Sequence, residues 1–172
     1  MKARDQAEFR EYVIARQAGL RRTAYLLSGD WHRADDLVSA TVIKLYGAWR
    51  SARDASNTDA YVRKILVRVF LDEKRRPWRR EHPTEVLPEL PGPADDTPVH
   101  RADLHRLLDQ MPRRQRAVLV LRFYDDLSVQ QAAAVLECSE GAVKTLTSRA
   151  LDSIRRLLPA GVVTRTDYEE AL

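Results

Sequence analysis

Apolar residues recur at helical spacing through most of the chain, and no segment shows the strict alternation of a half-buried strand. Phe9, Val13, Leu20, Ala24 and Leu27 trace one face of a first helix that ends at Ser28-Gly29-Asp30, a stop followed by a restart. A second helix from about Trp31 to Trp49 places Ala34, Val38, Thr41, Leu45 and Trp49 on one side and leaves Asp35, Asp36, Ser39 and Lys44 more exposed. After the polar break RSARDASNTD, Asn57 or Thr58 serves as N-cap of a third helix. On it Tyr61, Ile65 and Val69 form one line, with Val62, Leu66 and Phe70 beside it. Further on, Leu104, Leu107, Leu108 and Met111 make an amphipathic turn pair before Pro112, and RRQRAVLVLRFYDD supplies a strongly apolar helix.

The stretch from Leu127 to Leu158 carries the most specific pattern. Ala132, Val135 and Leu136 belong to one short helix; Ser139 can N-cap a second, whose Val143, Ala150, Ile154 and Leu158 line one side. The opposite side bears Lys144, Thr145, Ser148 and Arg149. Short polar and cationic groups near the start of a helix suit the major groove, where N-terminal residues of a recognition helix reach base edges. The pair reads as a helix-turn-helix.

Residues 81–98, EHPTEVLPELPGPADDTP, break every periodicity with five prolines and an acidic charge. Proline fixes φ and removes a backbone donor, so this segment is expected to be an extended, mobile linker. The fold class is therefore all-α, with two small helical domains: 1–80 and 99–160, followed by a short tail, 161–172. The net charge of +4 is mild, which moves the question to local clustering. The end of the third helix is such a cluster, with Arg63, Lys64, Arg68, Lys74, Arg75, Arg76, Arg79 and Arg80. That exceeds what a helix dipole favours and points to a phosphate-tracking surface, where Tyr61 and Trp78 could offer π-faces to an unstacked base.

The remaining chemistry is sparse. Cys138 is the sole cysteine and falls in the helix-turn-helix turn, where a small buried apolar residue is the simplest reading. Absence of a disulfide framework agrees with a reducing cytosol, and no apolar run approaches a membrane span. The four histidines are scattered, with no HExxH, CxxC or GxSxG, so no catalytic residues, no metal site and no cofactor are expected.

Taken together, these segments resemble the extracytoplasmic-function sigma factors of the sigma-70 family. HRADDLVSATVIKLYGAW looks like region 2.2, AYVRKILVRVFLDEKRR like region 2.4, and DQMPRRQRAVLVLRFYDDLSVQQAAAVLECSEGAVKTLTSRAL like regions 4.1 and 4.2. The resemblance implies a cytoplasmic, non-enzymatic promoter-specificity subunit of RNA polymerase, whose partners are the β′ clamp and β flap of the core enzyme, promoter DNA and a cognate anti-sigma protein. It implies neither membrane insertion nor a small-molecule substrate. Asp35, Asp36, Ser39, Thr41 and Lys44 would lie at or near the clamp contact. Trp49, Asn57, Thr58, Tyr61, Arg63, Lys64, Arg68, Arg75 and Arg76 would serve the melted −10 element. Ser139, Ala142, Lys144, Thr145, Ser148 and Arg149 would serve the −35 duplex.

Departures from the family pattern are specific. Ser39 stands where Gln is usual, Ala40 where an acidic residue is common, Arg68 where Asn is common, Glu137 where the turn usually has Gly, and Leu146 where an Arg is common. The rival reading is a helix-turn-helix regulator binding an operator as a dimer, which would need a dimer surface and usually a ligand pocket. An anti-sigma or adaptor bundle would need no recognition helix, and a helical enzyme has no motif behind it.

Overall fold

The computed structural model describes residues 3–73 and 105–157. The expected linker, the tail, Leu104, Leu158, Trp78 and the cations beyond Glu73, Arg75 and Arg76 included, lie outside the described residues. Those residues form helices without a strand. The first half contains α1 (Ala3–Ser28), α2 (Trp31–Gly47), the short α3 (Trp49–Arg53) and α4 (Thr58–Asp72). In the second half α5 covers 105–109, α6 spans Arg113–Leu119 and runs on as a π-helical turn over Val120–Tyr124, and α7 (Val129–Leu136) and α8 (Glu140–Leu157) follow.

Local chemistry sets the helix ends. Gly29 takes φ +76 after α1, a conformation that disfavours any residue with a Cβ. Asp30 then caps α2, its carboxylate accepting from the Arg33 amide at 2.8 Å. Asn57 does the same for α4, accepting from Ala60 at 2.9 Å. Ser128 and Gln131 form a reciprocal capping box at the start of α7, and the Ser139 hydroxyl accepts from the Ala142 amide at 3.1 Å to start α8. Pro112 precedes α6, where its missing N–H leaves nothing unsatisfied.

The two halves share one apolar core. Leu27, Leu37, Leu66, Val67 and Phe70 from the first half cluster with Leu108, Met111, Leu119, Leu121, Leu136 and Val143 from the second. A smaller cluster of Leu45, Trp49, Ala52 and Val62 closes the other end of the first bundle beneath Phe9, Tyr12 and Tyr61. Polar locks reinforce the joint. The buried Arg116 donates from Nη1 to the Leu27 carbonyl at 2.9 Å and pairs with Asp109 at 2.9 Å. Arg113 donates to the Phe70 carbonyl, pairs with Glu73 at 3.4 Å and lies 4.2 Å over the Phe70 ring.

Cys138 is a free thiol packed against the core, half-buried where a buried residue was expected. The described part of the Leu107, Leu108 and Met111 pattern also stands, with Leu108 and Met111 buried.

Gly29 is a weak point of this arrangement, because a Cβ there would both force an L residue to positive φ and collide with the Asp109 carboxylate. Gly29→Ala should therefore destabilise the chain by about 1–2 kcal/mol, read as a lower midpoint in urea unfolding. A midpoint unchanged within error would show that the turn relaxes freely.

Candidate nucleic-acid interface

Three separate surfaces, on α8, α4 and α2, carry the residues singled out from the sequence. On α8, Val143 and Ala150 are fully buried and Ile154 packs partly against the core, so the opposite side faces outward. Lys144, Thr145, Ser148 and Arg149 are all exposed there. Thr145 spends its hydroxyl proton on the Gly141 carbonyl at 3.0 Å, leaving its oxygen to accept. Ser139 is exposed but already engaged as the N-cap, and Ala142 is half-buried beside it. Leu146 packs against the core, which accounts for an apolar side chain at that position.

On α4, Arg63, Lys64 and Arg68 lie close together, each within reach of a carboxylate from the second half of the chain, with Arg68 also exposed to solvent. Arg63 Nε is 3.3 Å from Asp125 Oδ2, Lys64 Nζ is 2.8 Å from Glu137 Oε1, and Arg68 Nη1 is 3.7 Å from Glu137 Oε2. Glu137 closes α7 with φ 52 and ψ 49, the left-handed conformation that explains why glycine suits this turn. The cations beside it hold its carboxyl below the usual carboxylate range. Asp125 behaves oppositely: burial pushes its carboxyl up, while Arg63 and the Thr23 hydroxyl, donating at 3.2 Å, pull it down.

The approach to α4 is also internally paired. Arg53 of α3 pairs with Asp5 at 2.7 Å, Glu8 at 3.3 Å and Asp54 at 3.1 Å. Asn57 is exposed and spends its side-chain oxygen on the cap, Thr58 begins α4 half-buried, and Tyr61 is half-buried against the smaller cluster. Trp49 corrects its sequence-based assignment. It is only 4 % exposed, with ring centroids 5.3 Å from Phe9 and 5.5 Å from Tyr12, so it holds up the loop from beneath and offers no face to a base.

A second correction concerns α2. Thr41 is fully buried and its hydroxyl donates to the Leu37 carbonyl at 2.7 Å, so it cannot touch a partner. Its place on the apolar line with Ala34, Val38 and Leu45 outweighs its polarity. Asp36, Ser39 and Lys44 are exposed, and Asp35 is exposed while held by a bidentate Arg21 at 2.6 and 3.1 Å. Ile43, 73 % exposed, and Tyr46, 49 % exposed, share this outer face. The periodicity already carried that signal: two large apolar residues, three apart, standing off the buried line.

Residues 13–80 match the family model described as Sigma-70 region 2, and residues 101–154 match that described as Sigma-70, region 4. The RNA polymerase sigma-E factor of Streptomyces coelicolor is 37 % identical over 156 residues, covering 89 % of this chain and 87 % of the relative. The ECF RNA polymerase sigma factor EcfG of Rhodopseudomonas palustris is 29 % identical over 154 residues, covering 87 % and 84 %. Among solved structures, the sigma factor RpoE co-crystallised with the anti-sigma factor NepR from Bartonella quintana superposes with a TM-score of 0.69 at 25 % identity, over 90 % of this chain and 98 % of that one.

The burial of Trp49 separates a supporting from a contacting role. Trp49→Ala should cost about 3–5 kcal/mol of stability, measured by thermal or urea unfolding. A variant with wild-type stability but impaired DNA binding would return Trp49 to the contact surface.

Proposed function

The chain belongs to the sigma-70 family, as an extracytoplasmic-function RNA polymerase sigma factor, and on that premise we propose how its surfaces divide the work of initiation. Residues 1–80 act as region 2, binding the β′ clamp of core polymerase and the melted −10 element, with 81–98 as linker. Residues 99–160 act as region 4, binding the β flap and the −35 duplex, and 161–172 as a tail. The observation that carries this reading is the outward face of α8, where Lys144, Thr145, Ser148 and Arg149 stand exposed on a capped helix seated by α7.

Each surface has a matching chemistry. The α8 face offers donors for base edges and phosphates in a major groove. The outer face of α2 joins Asp36, Ser39 and Lys44 to exposed Ile43 and Tyr46, a mixed polar and apolar patch suited to a protein partner. Arg63, Lys64 and Arg68 supply the phosphate contacts for a single strand. Flipped-base capture falls to Asn57, the cap of α4, and to Thr58 and Tyr61 in the first turn of that helix, which offsets part of the few kcal/mol that unstacking costs. Arg75 and Arg76 would extend the same phosphate track. Nucleotidyl transfer stays with the polymerase, so the chain itself is non-enzymatic and works in the cytoplasm. The anti-sigma partner in the Bartonella quintana complex supports a cognate anti-sigma protein here as well.

Purified chain added to core polymerase should start transcripts at a discrete set of promoters on genomic templates. A pattern of starts identical to core enzyme alone would sink the reading. Within such a system, Arg149→Ala should weaken −35 binding by about 1–3 kcal/mol if the contact is to a base, while −10 opening on a −35-scrambled template stays at wild-type level. Equal losses on intact and scrambled templates would remove Arg149 from the −35 interface.

A further inference from the structure

We infer that α1 sets the geometry of base capture, with Asp5 and Tyr12 as positioning residues that staple the two ends of the short loop between α3 and α4. The assignment rests on the reading of Asn57, Thr58 and Tyr61 as the capturing group. Neither α1 residue belongs to that group: Asp5 is buried, and the Tyr12 hydroxyl is engaged by α4.

The staples come from one side of α1. Glu8, Phe9, Tyr12 and Arg16 follow Asp5 at the spacing that keeps side chains on a single helix face. At the loop's entrance Arg53, the last residue of α3, donates from Nη1 to Asp5 at 2.7 Å and to Glu8 at 3.3 Å. At its exit Asp59, in the first turn of α4, accepts from the Tyr12 hydroxyl at 2.7 Å and meets Arg16 with its other oxygen at 2.9 Å. Between the two, Phe9 meets Trp49 edge-on with ring centroids 5.3 Å apart. The loop over 54–57 therefore starts and finishes beside groups that α1 holds, and Asn57, which ends it, lies two residues before Asp59.

Helix chemistry alone does not account for this arrangement. A carboxylate anywhere around the first turn of α4 would satisfy the helix dipole, whereas Asp59 sits on the side where two donors from α1 reach it. Asp5 also lies in the first turn of its own helix, yet its buried carboxylate is engaged by α3. The loop itself has little packing to fix it, since Asp54, Ser56 and Asn57 are exposed. A recognition site selects sharply only when its groups are held to within about 0.5 Å by others whose own positions are locked, and α1 supplies that support from outside the site.

The test uses the full chain with core polymerase and a barcoded template pool randomised separately over the −10 and −35 elements. Sequencing the transcripts gives a base preference at each position. A wrong base at a read position should cost the wild type about five- to 150-fold. Tyr12→Phe keeps the ring beside Trp49, and Asp5→Asn keeps an acceptor for Arg53. Each should reduce the preference at the −10 positions around the captured base by about two- to tenfold, the worth of one hydrogen bond, and leave the −35 profile intact. Gly29→Ala destabilises the chain away from both staples and should lower output without flattening either profile. Lower output with an unchanged −10 profile in both Tyr12→Phe and Asp5→Asn would make them ordinary structural contacts and overturn the assignment. Equal flattening in Gly29→Ala would overturn it too, by tracing the loss to stability. A wild-type chain that selects no bases at all overturns the sigma reading together with the staples, whereas a selective wild type with inert α1 variants overturns the staples alone.

Discussion

Arg116 carries a guanidinium into the joint between the two halves, only 7 % exposed, where it meets the Leu27 carbonyl at 2.9 Å and Asp109 at 2.9 Å. A charge this deep is tolerated only when paired and hydrogen-bonded. Burial lowers its affinity for the proton and Asp109 raises it again. The Leu27 carbonyl is one of the groups that α1 leaves unsatisfied at its C-terminus, so the helix end and the guanidinium complete each other. Gly29 lets the chain turn away without a Cβ, which leaves room for Asp109. With that set in place α4 comes to lie against α7, and the contacts of Arg63, Lys64 and Arg68 follow.

Much of the fold was legible because it is local. The stop at Ser28-Gly29-Asp30, the Asn57 cap and the Ser139 cap each depend on residues within a few positions, and each stands as expected. Apolar periodicity likewise marked the buried sides of α2, α4 and α8. Periodicity says which side of a helix is covered, however, and not which element covers it. The pairing of Lys64 with Glu137, or Thr23 with Asp125, joins residues from opposite halves, and no spacing rule reports it. Thr41 and Trp49 show the other limit. A hydroxyl can satisfy itself on its own helix and an indole can complete an aromatic cluster, and both then leave the surface despite belonging to a functional segment.

The two surfaces proposed to meet nucleic acid differ in what they must overcome. On α8 the polar side stands ready, because its helix is capped and its apolar side is spent on the core. On α4 the cations are already neutralised within the molecule, so any anion that binds them replaces an existing partner and gains only the difference. Such exchange favours ligands that offer more than charge, such as bases seated beside the backbone contacts, over any polyanion that happens by.

The π-helical turn at Val120–Tyr124 gives the joint its phase. Its Asp125 amide bonds the Val120 carbonyl at 2.9 Å, five residues back instead of four. One extra residue in a helix rotates everything after it by roughly 100° relative to a regular α-helix. Asp125 owes its direction toward Thr23 and Arg63 to that added residue, and the azimuth at which α7 leaves the helix depends on it as well. The widened turn is thus an angular setting: sequence length in this segment, more than the identity of any side chain in it, determines whether the two halves can face each other.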